Sequence, residues 1–420
     1  MEYLKKNKFL VTFSGVTISW LTIYYILESY SLWSYWGVQN MEIMFPDLHI
    51  LLSAIDAHFL GINVFKENPL CYFKIPHVYS EAWFPLHYIG FSDDYRILIG
   101  LLLILFFALG VSWQIKDNAN LFLPLCISPA ILLAVERCNN DLIIFSLLFL
   151  VVKFALSEKK HWVLVGHILL YALIALKYYP VALSVIFLFR KENLSKKIFH
   201  ISAPIIFFLL WICYCWNNLQ IQKNTIPEPG YVSSFGFSPF NSLISYTTGL
   251  KIEVCFILLV ILTSFIAYSI FRFLIKYTNK KDVVTPANRY SSALCFGGCS
   301  ILLFCYFVKT SFDYRMIFLF CSLPFILRYQ FQFQNYFPSI FLSPICMLVA
   351  FTLSAWFEFI REWISIITRN TMLELNLPSI LFLTRASEIC LNHYSIILLI
   401  SFALYIAYKE VFCTVFYDEH

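Results

Sequence analysis

The chain has 420 residues, 60% of them hydrophobic and 13% charged, with a formal net charge of +5. Soluble domains carry roughly 25% charged residues, so this much apolar surface excludes a water-soluble core and calls for a bilayer. Lys and Arg lie mostly in short loops between apolar runs, where they orient helices, which argues against nucleic-acid binding.

The first apolar run, 9–27, follows Lys5, Lys6 and Lys8 and has no small-residue cleavage site behind it. It reads as a retained spanning helix and not as a signal peptide. A mixed stretch, 28–95, follows. Further apolar runs occupy 97–113, 121–135, 142–156, 162–176, 181–189, 198–216, 254–275, 291–308, 316–327, 340–357 and 396–408. A spanning helix needs roughly 20 apolar residues, so several of these are short. The pattern predicts an all-α polytopic membrane protein of about 12 spans. Residues 1–420 are expected to form one integral membrane domain, with 28–95 as a first extracytoplasmic loop.

Orientation follows from the basic residues. With the N-terminus inside, Lys116, Lys153, Lys159, Lys160, Arg190, Lys191, Lys196, Lys197, Arg272, Lys276, Lys280, Lys281, Arg289, Arg328 and Lys409 all fall on the inner face. Both termini are then cytoplasmic in a multi-pass cell membrane protein of bacterial inner-membrane type. The outer face receives 28–95, 136–141, 177–180, 217–253, 309–315 and 358–394.

Within the first outer loop, Leu48, Leu51, Leu52, Ile55 and Phe59 recur at helical spacing. They predict an amphipathic helix lying at the membrane interface. Asp47 and Asp56 are nine residues apart, about half a turn out of phase at 3.6 residues per turn, so they face opposite ways. On local pattern alone Asp47 reads as an N-cap and Asp56 as a solvated face residue. Arg137, Lys177 and Arg315 stand on the outer side, against the positive-inside trend, and together point to a shared anionic ligand. Taken singly, each reads as an interfacial snorkelling residue. His49, His58, His77 and His87 share the loop but form no HExxH pair; each reads as a surface or hydrogen-bonding residue. The 13 cysteines show no CxxC pair and no zinc spacing. Cys71 and Cys138 both fall outside, where a disulfide between them is one alternative.

In chain order the sequence holds Pro46-Asp47-Leu48-His49, Gly61-Ile62-Asn63-Val64-Phe65, the 79–83 segment, Glu136-Arg137 with Asn139-Asn140-Asp141, Leu176-Lys177-Tyr178-Tyr179-Pro180, Ser234-Phe235-Gly236 and Asp313-Tyr314-Arg315. This order resembles glycosyltransferase family 87, the integral membrane, polyprenyl-phosphate-sugar-dependent enzymes that include the actinobacterial phosphatidylinositol mannoside mannosyltransferases. The similarity spans about residues 10 to 330. Tyr79-Ser80 stands where members often have Tyr-Pro.

The resemblance implies a GT-C fold, a lipid-linked sugar phosphate donor and an acidic catalytic base in the first outer loop. By matching position that base is Asp47, with Asp56 as runner-up. Arg137, Lys177 and Arg315 would meet the donor phosphate. His49, Glu136, Asn140, Asp141, Tyr179 and Asp313 would support them. The expected activity is transfer of a hexose, mannose being one candidate, from a polyprenyl phosphate to a hydroxyl of a lipid or glycan acceptor. No cofactor is expected: the leaving group is a monophosphate, so a metal is less necessary than for nucleotide-sugar donors. The expected partners are donor, acceptor and membrane lipids, with no nucleic acid. The alternatives are a transporter or flippase of a lipid-linked saccharide, which needs cations but no base, and a structural or assembly subunit, which needs neither.

Overall fold

The structure is a computed structural model and describes residues 8–29, 32–39, 41–117, 119–222, 234–277, 289–308, 311–332, 344–370 and 377–408. In chain order the helices are α1 (Lys8–Ser29), α2 (Pro46–Phe59), α3 (Arg96–Ile115), α4 (Ala119–Cys126), α5 (Pro129–Arg137), α6 (Asp141–Ala155), α7 (Lys160–Leu176), α8 (Leu194–Tyr214), α9 (Trp216–Gln222), α10 (Phe237–Thr248), α11 (Ile252–Tyr277), α12 (Arg289–Val308), α13 (Leu319–Gln332), α14 (Pro344–Asn370) and α15 (Leu377–Ala407). Short 3₁₀ segments join them, the longest being Tyr179–Phe189. Two-residue strands β1 (Ser234–Phe235) and β2 (Ser311–Phe312) pair antiparallel, Ser234 opposite Phe312.

Among the described residues, six helices are long and apolar enough to cross a membrane, or up to seven if the bent pair α4–α5 is one span. This is a helical membrane protein. The other apolar runs form shorter pieces: Tyr179–Phe189 has 11 residues and at about 2.0 Å per residue covers about 22 Å, less than the roughly 30 Å of a hydrocarbon core. The 64° bend between α4 and α5 has a local cause, because Pro129 lacks an N–H and disfavours helical geometry at Ser128.

Contacts divide the chain into two compact units. The first comprises Met1–Tyr24, Asn40–Asp117 and Leu133–Glu228; the second comprises Tyr25–Gln39, Asn118–Leu132 and Pro229–His420. This is a finer division than the single domain expected from hydropathy.

In the first unit α6 packs against α3 and α7, and α8 against α7 and the 3₁₀ segment. Trp20 stacks on Phe107 at 4.9 Å, and Phe107 meets Phe145 edge-on at 5.0 Å. Gly166 lets α7 approach α6 closely: a Cβ there would lie 2.8 Å from the Ala155 amide nitrogen.

The helix expected at the membrane interface is instead buried. Only Asp47, Asp56, His58 and Phe59 of α2 escape full burial, because the loop that follows folds over its other faces. Ser53 is enclosed there and accepts a hydrogen bond from Asn68 Nδ2 at 3.1 Å. Cys71 and Cys138 are both free, buried thiols, so the disulfide alternative is set aside.

In the second unit α14 and α15 pack side by side, and α11 and α12 lie against α15. The segment 358–394, expected as an outer loop, is in large part the ends of these two long helices. Four of its charges pair three residues apart along each helix, Glu358 with Arg361 and Glu388 with Arg385, and so do not interrupt it.

Candidate functional site

Three stretches of the first unit converge on Asp47. The carboxylate sits in the first turn of α2, directly after Pro46, whose missing N–H suits a helix start. The preceding residue, Phe45, is left-handed at φ 55. Asp47 Oδ2 accepts a hydrogen bond from Asn139 Nδ2 at 2.5 Å, and Oδ1 lies 3.5 Å from Arg137 Nη1.

Arg137 and Asn139 come from the turn between α5 and α6. That turn closes α5 by the Cys138 amide on Val135 O and the Asn139 amide on Ala134 O. Its left-handed position, usually a glycine, is Cys138 at φ 45. The chain therefore reaches Asp47 on one side, and its partners on the other, through non-glycine residues in a conformation costing roughly 1–3 kcal/mol each.

Both strained residues rest on one glycine. Cys138 Sγ contacts Gly100 O at 3.7 Å. A Cβ on Gly100 would fall 2.3 Å from Phe45 Cδ2. Gly100 in α3 thus clears the space that Phe45 occupies.

The third stretch supplies Lys177 and Tyr179. Lys177 ends α7 in an extended conformation. Its ammonium donates to Asn139 Oδ1 at 3.0 Å, to Asn140 Oδ1 at 2.5 Å and to Asp141 Oδ1. Tyr179 OH donates to the same Asp141 oxygen at 2.7 Å. An ammonium has three donors, and three acceptors surround this one. Lys177 is therefore less an open cation than a pin: it orients Asn139, and Asn139 orients Asp47. Glu136 is buried and lies 3.3 Å from Arg137 Nε.

The structure thus brings together Asp47, Glu136, Arg137, Asn140, Asp141, Lys177 and Tyr179 from the sequence-predicted set. Asn139 is the addition: it bridges Asp47 and Lys177. It lay inside a motif already noticed, but an amide bears no charge and gave no reason to single it out. The cluster opens where Asp47, Arg137 and Lys177 are still 12–13% exposed, whereas Asp141 is fully enclosed.

The remaining predicted residues lie elsewhere. Asp56 accepts Ser92 Oγ at 3.0 Å and the Asp93 amide at 2.9 Å, and so caps the turn that begins α3. Its half-turn offset from Asp47 holds in three dimensions. His49 faces Asp93, with Nδ1 2.9 Å from Oδ1. Asp313 and Arg315 belong to the second unit, in the 3₁₀ turn Asp313–Phe318 directly after β2. The pairing of β1 with β2 therefore joins the Ser234-Phe235-Gly236 motif to the residues just before Asp313-Tyr314-Arg315. Arg315 is half-buried, and the side chain of Asp313 lies outside the described residues. Among the described residues no group of three His, Cys, Asp or Glu is placed to hold a metal ion.

The six long apolar helices among the described residues define a multi-pass helical membrane protein. No family model, no curated protein and no solved structure matches the chain.

Proposed function

We propose that the protein is a membrane glycosyltransferase of GT-C type that transfers a hexose from a polyprenyl phosphate to an acceptor hydroxyl at the extracytoplasmic face. The observation that carries this reading is the convergence of residues 45–47, 136–141 and 177–179 on one part-exposed carboxylate, approached through two strained residues.

Asp47 is the general base. The acceptor oxygen attacks the anomeric carbon, its proton passes to Asp47, and the bond from that carbon to the phosphate oxygen breaks with its electron pair leaving on phosphate. Arg137 is the cation for that phosphate. At 3.5 Å its pairing with Asp47 is loose, so an incoming phosphate draws the guanidinium away and frees Asp47 Oδ1 for the acceptor hydroxyl. Lys177 acts by holding Asn139 and thereby Asp47.

The test is incubation of purified protein with a panel of polyprenyl-phosphate sugars and mass spectrometry of the products. Sugar loss from one donor, abolished in Asp47→Asn with donor binding retained, supports the reading. Unchanged turnover in Asp47→Asn overturns it in favour of a carrier or a structural subunit. Sidedness is tested by labelling a cysteine placed at exposed Lys66 in a cysteine-depleted variant of intact cells. Labelling only after permeabilisation reverses the orientation.

A further inference from the structure

The span that contains α3 runs from Asp93 to Ile115, 23 residues, so its first turn stands at the boundary between hydrocarbon and headgroups. A cavity of about 480 Å³ opens at this turn, lined by residues 93–98 and Leu101. Its lining has two parts. Ile97, Leu98 and Leu101 are exposed and fall within about 100° of the helix circumference, so they form one apolar strip. Asp93, Asp94 and Arg96 make the charged end.

The pairing of Arg96 is incomplete. Its Nη1 lies 3.5 Å from both Asp93 oxygens, which is long for a charge-assisted hydrogen bond. The same nitrogen stands 2.9 Å from His49 Nδ1, but that atom offers it no lone pair. The Tyr72 amide donates to His49 Nε2 at 2.9 Å, which sets the ring proton on Nδ1, where it faces Asp93 Oδ1 at 2.9 Å. Burial lowers the affinity of His49 for a proton, but hydrogen bonding, chiefly to Asp93, outweighs it, so Nδ1 keeps that proton. Arg96 Nε is buried with no hydrogen-bond partner among the described residues. A guanidinium has five N–H donors, and this one leaves most of them for an incoming anion. Asp94 is exposed and makes no side-chain hydrogen bond or ion pair with the described residues.

We propose that this cavity binds a phospholipid whose head carries a primary amine, with the phosphate on Arg96, the ammonium on Asp94 and an acyl chain along Ile97, Leu98 and Leu101. Charge selects the head. Two carboxylates and one guanidinium give the lining a net negative charge, so a purely anionic head meets more repulsion than attraction. A purely cationic ligand would leave Arg96 unserved. A phosphoethanolamine head carries both charges, and its ammonium has three donors for the Asp94 and Asp93 carboxylates.

The apolar strip argues for a lipid over a soluble phosphoethanolamine. Ile97, Leu98 and Leu101 lie on the exposed side of a spanning helix, where acyl chains are its solvent. A lipid is therefore held beside the cavity at high effective concentration. Chain contacts are alike for all lipids of one chain length, so the headgroup decides which lipid stays. None of the lining residues belongs to the Asp47 cluster, and the inference does not depend on the sugar-transfer reading.

The test titrates the purified full chain in detergent micelles with phosphatidylethanolamine or phosphatidylglycerol of identical acyl chains, bound lipid being counted by native mass spectrometry. Phosphatidylethanolamine is expected to be retained roughly tenfold more tightly, the scale of a hydrogen bond to a charged group. Asp94→Asn should abolish that preference, and Arg96→Gln should weaken the binding of both lipids. Asp94 is exposed and unpaired, so Asp94→Asn stays readable even if Arg96→Gln fails to fold. Soluble glycerophosphoethanolamine at matching concentration should not displace the bound lipid. Equal retention of the two lipids by the wild type, or unchanged phosphatidylethanolamine retention in Asp94→Asn, would overturn the proposal. Displacement by the soluble head would overturn it equally, because the chain would then contribute nothing.

Discussion

Two buried ionic clusters, one in each unit, are built on different plans. In the second unit Glu358, Arg361, Arg385 and Glu388 pair mostly with residues three positions away on their own helix, and Arg385 lies 4.0 Å from Glu358. Helical geometry alone brings such partners together, and the backbone is unstrained there. In the first unit Asp47, Asn139, Asp141 and Lys177 come from three distant stretches, and two left-handed residues shape the approach. An arrangement that local geometry does not favour persists only when the surrounding packing over-determines it. On the proposed reading, the helix-internal pairs serve to bury α14 and α15, whereas the Asp47 cluster is organised around the proposed base.

The strongest test of this contrast is catalytic. Asp47→Asn should lower sugar transfer by roughly 10²–10⁴-fold, while Asp56→Asn, which disturbs a cap and a contact with His87, should cost less than about tenfold, or about 1.4 kcal/mol. The reverse ranking would move the base to Asp56, and little effect from either would remove the enzyme proposal.

Stability should separate the clusters as well. Lys177→Met leaves Asp141 enclosed without its cation and should destabilise the protein by about 3–5 kcal/mol, seen as a lower thermal midpoint in micelles. Adding Asp141→Asn should restore part of that loss. Arg361→Met should cost about 1 kcal/mol or less, because Arg361 is 21% exposed and Glu358 keeps Arg385 nearby. Equal losses in the two clusters would erase the distinction.

Gly100→Ala should cost about 1–3 kcal/mol by overpacking against Phe45, although alanine favours helix. Sugar transfer should fall further than stability if Phe45 positions Asp47. A transfer rate that simply follows the folded fraction would make Gly100 a packing residue only.

The smallest effect concerns two loop histidines shifted in opposite directions. His77 is fully buried, hydrogen-bonded to Ser80 O at 3.3 Å, and its affinity for a proton is lowered to about 4. Between the ordinary value near 6.5 and 4, the unfolded chain binds a proton that the folded chain does not, so stability falls as pH drops through this range. His49, raised to about 9, contributes stability that is complete below 6.5 and lost as pH rises through 9. Thermal midpoints across pH 5 to 9 should show the acid loss shrink in His77→Gln and the alkaline loss shrink in His49→Gln.

Some of this was legible in the residues alone. Membrane character follows from composition, because 60% hydrophobic residues have no other solvent. The helix over Pro46–Phe59 and the opposed directions of Asp47 and Asp56 follow from a 3.6-residue period, which is a property of local backbone geometry. Only the tertiary structure decided the rest. Hydropathy counts apolar runs, but whether a run spans or ends as a short buried piece depends on its neighbours, as at Tyr179–Phe189. Burial of α2 came from the chain that folds over it, which no periodicity within α2 records. The pairings of Lys177 with Asp141 and of Asn139 with Asp47 join residues 36 and 92 positions apart. Such contacts leave no mark in local spacing, because they form only when packed helices deliver both partners to one place.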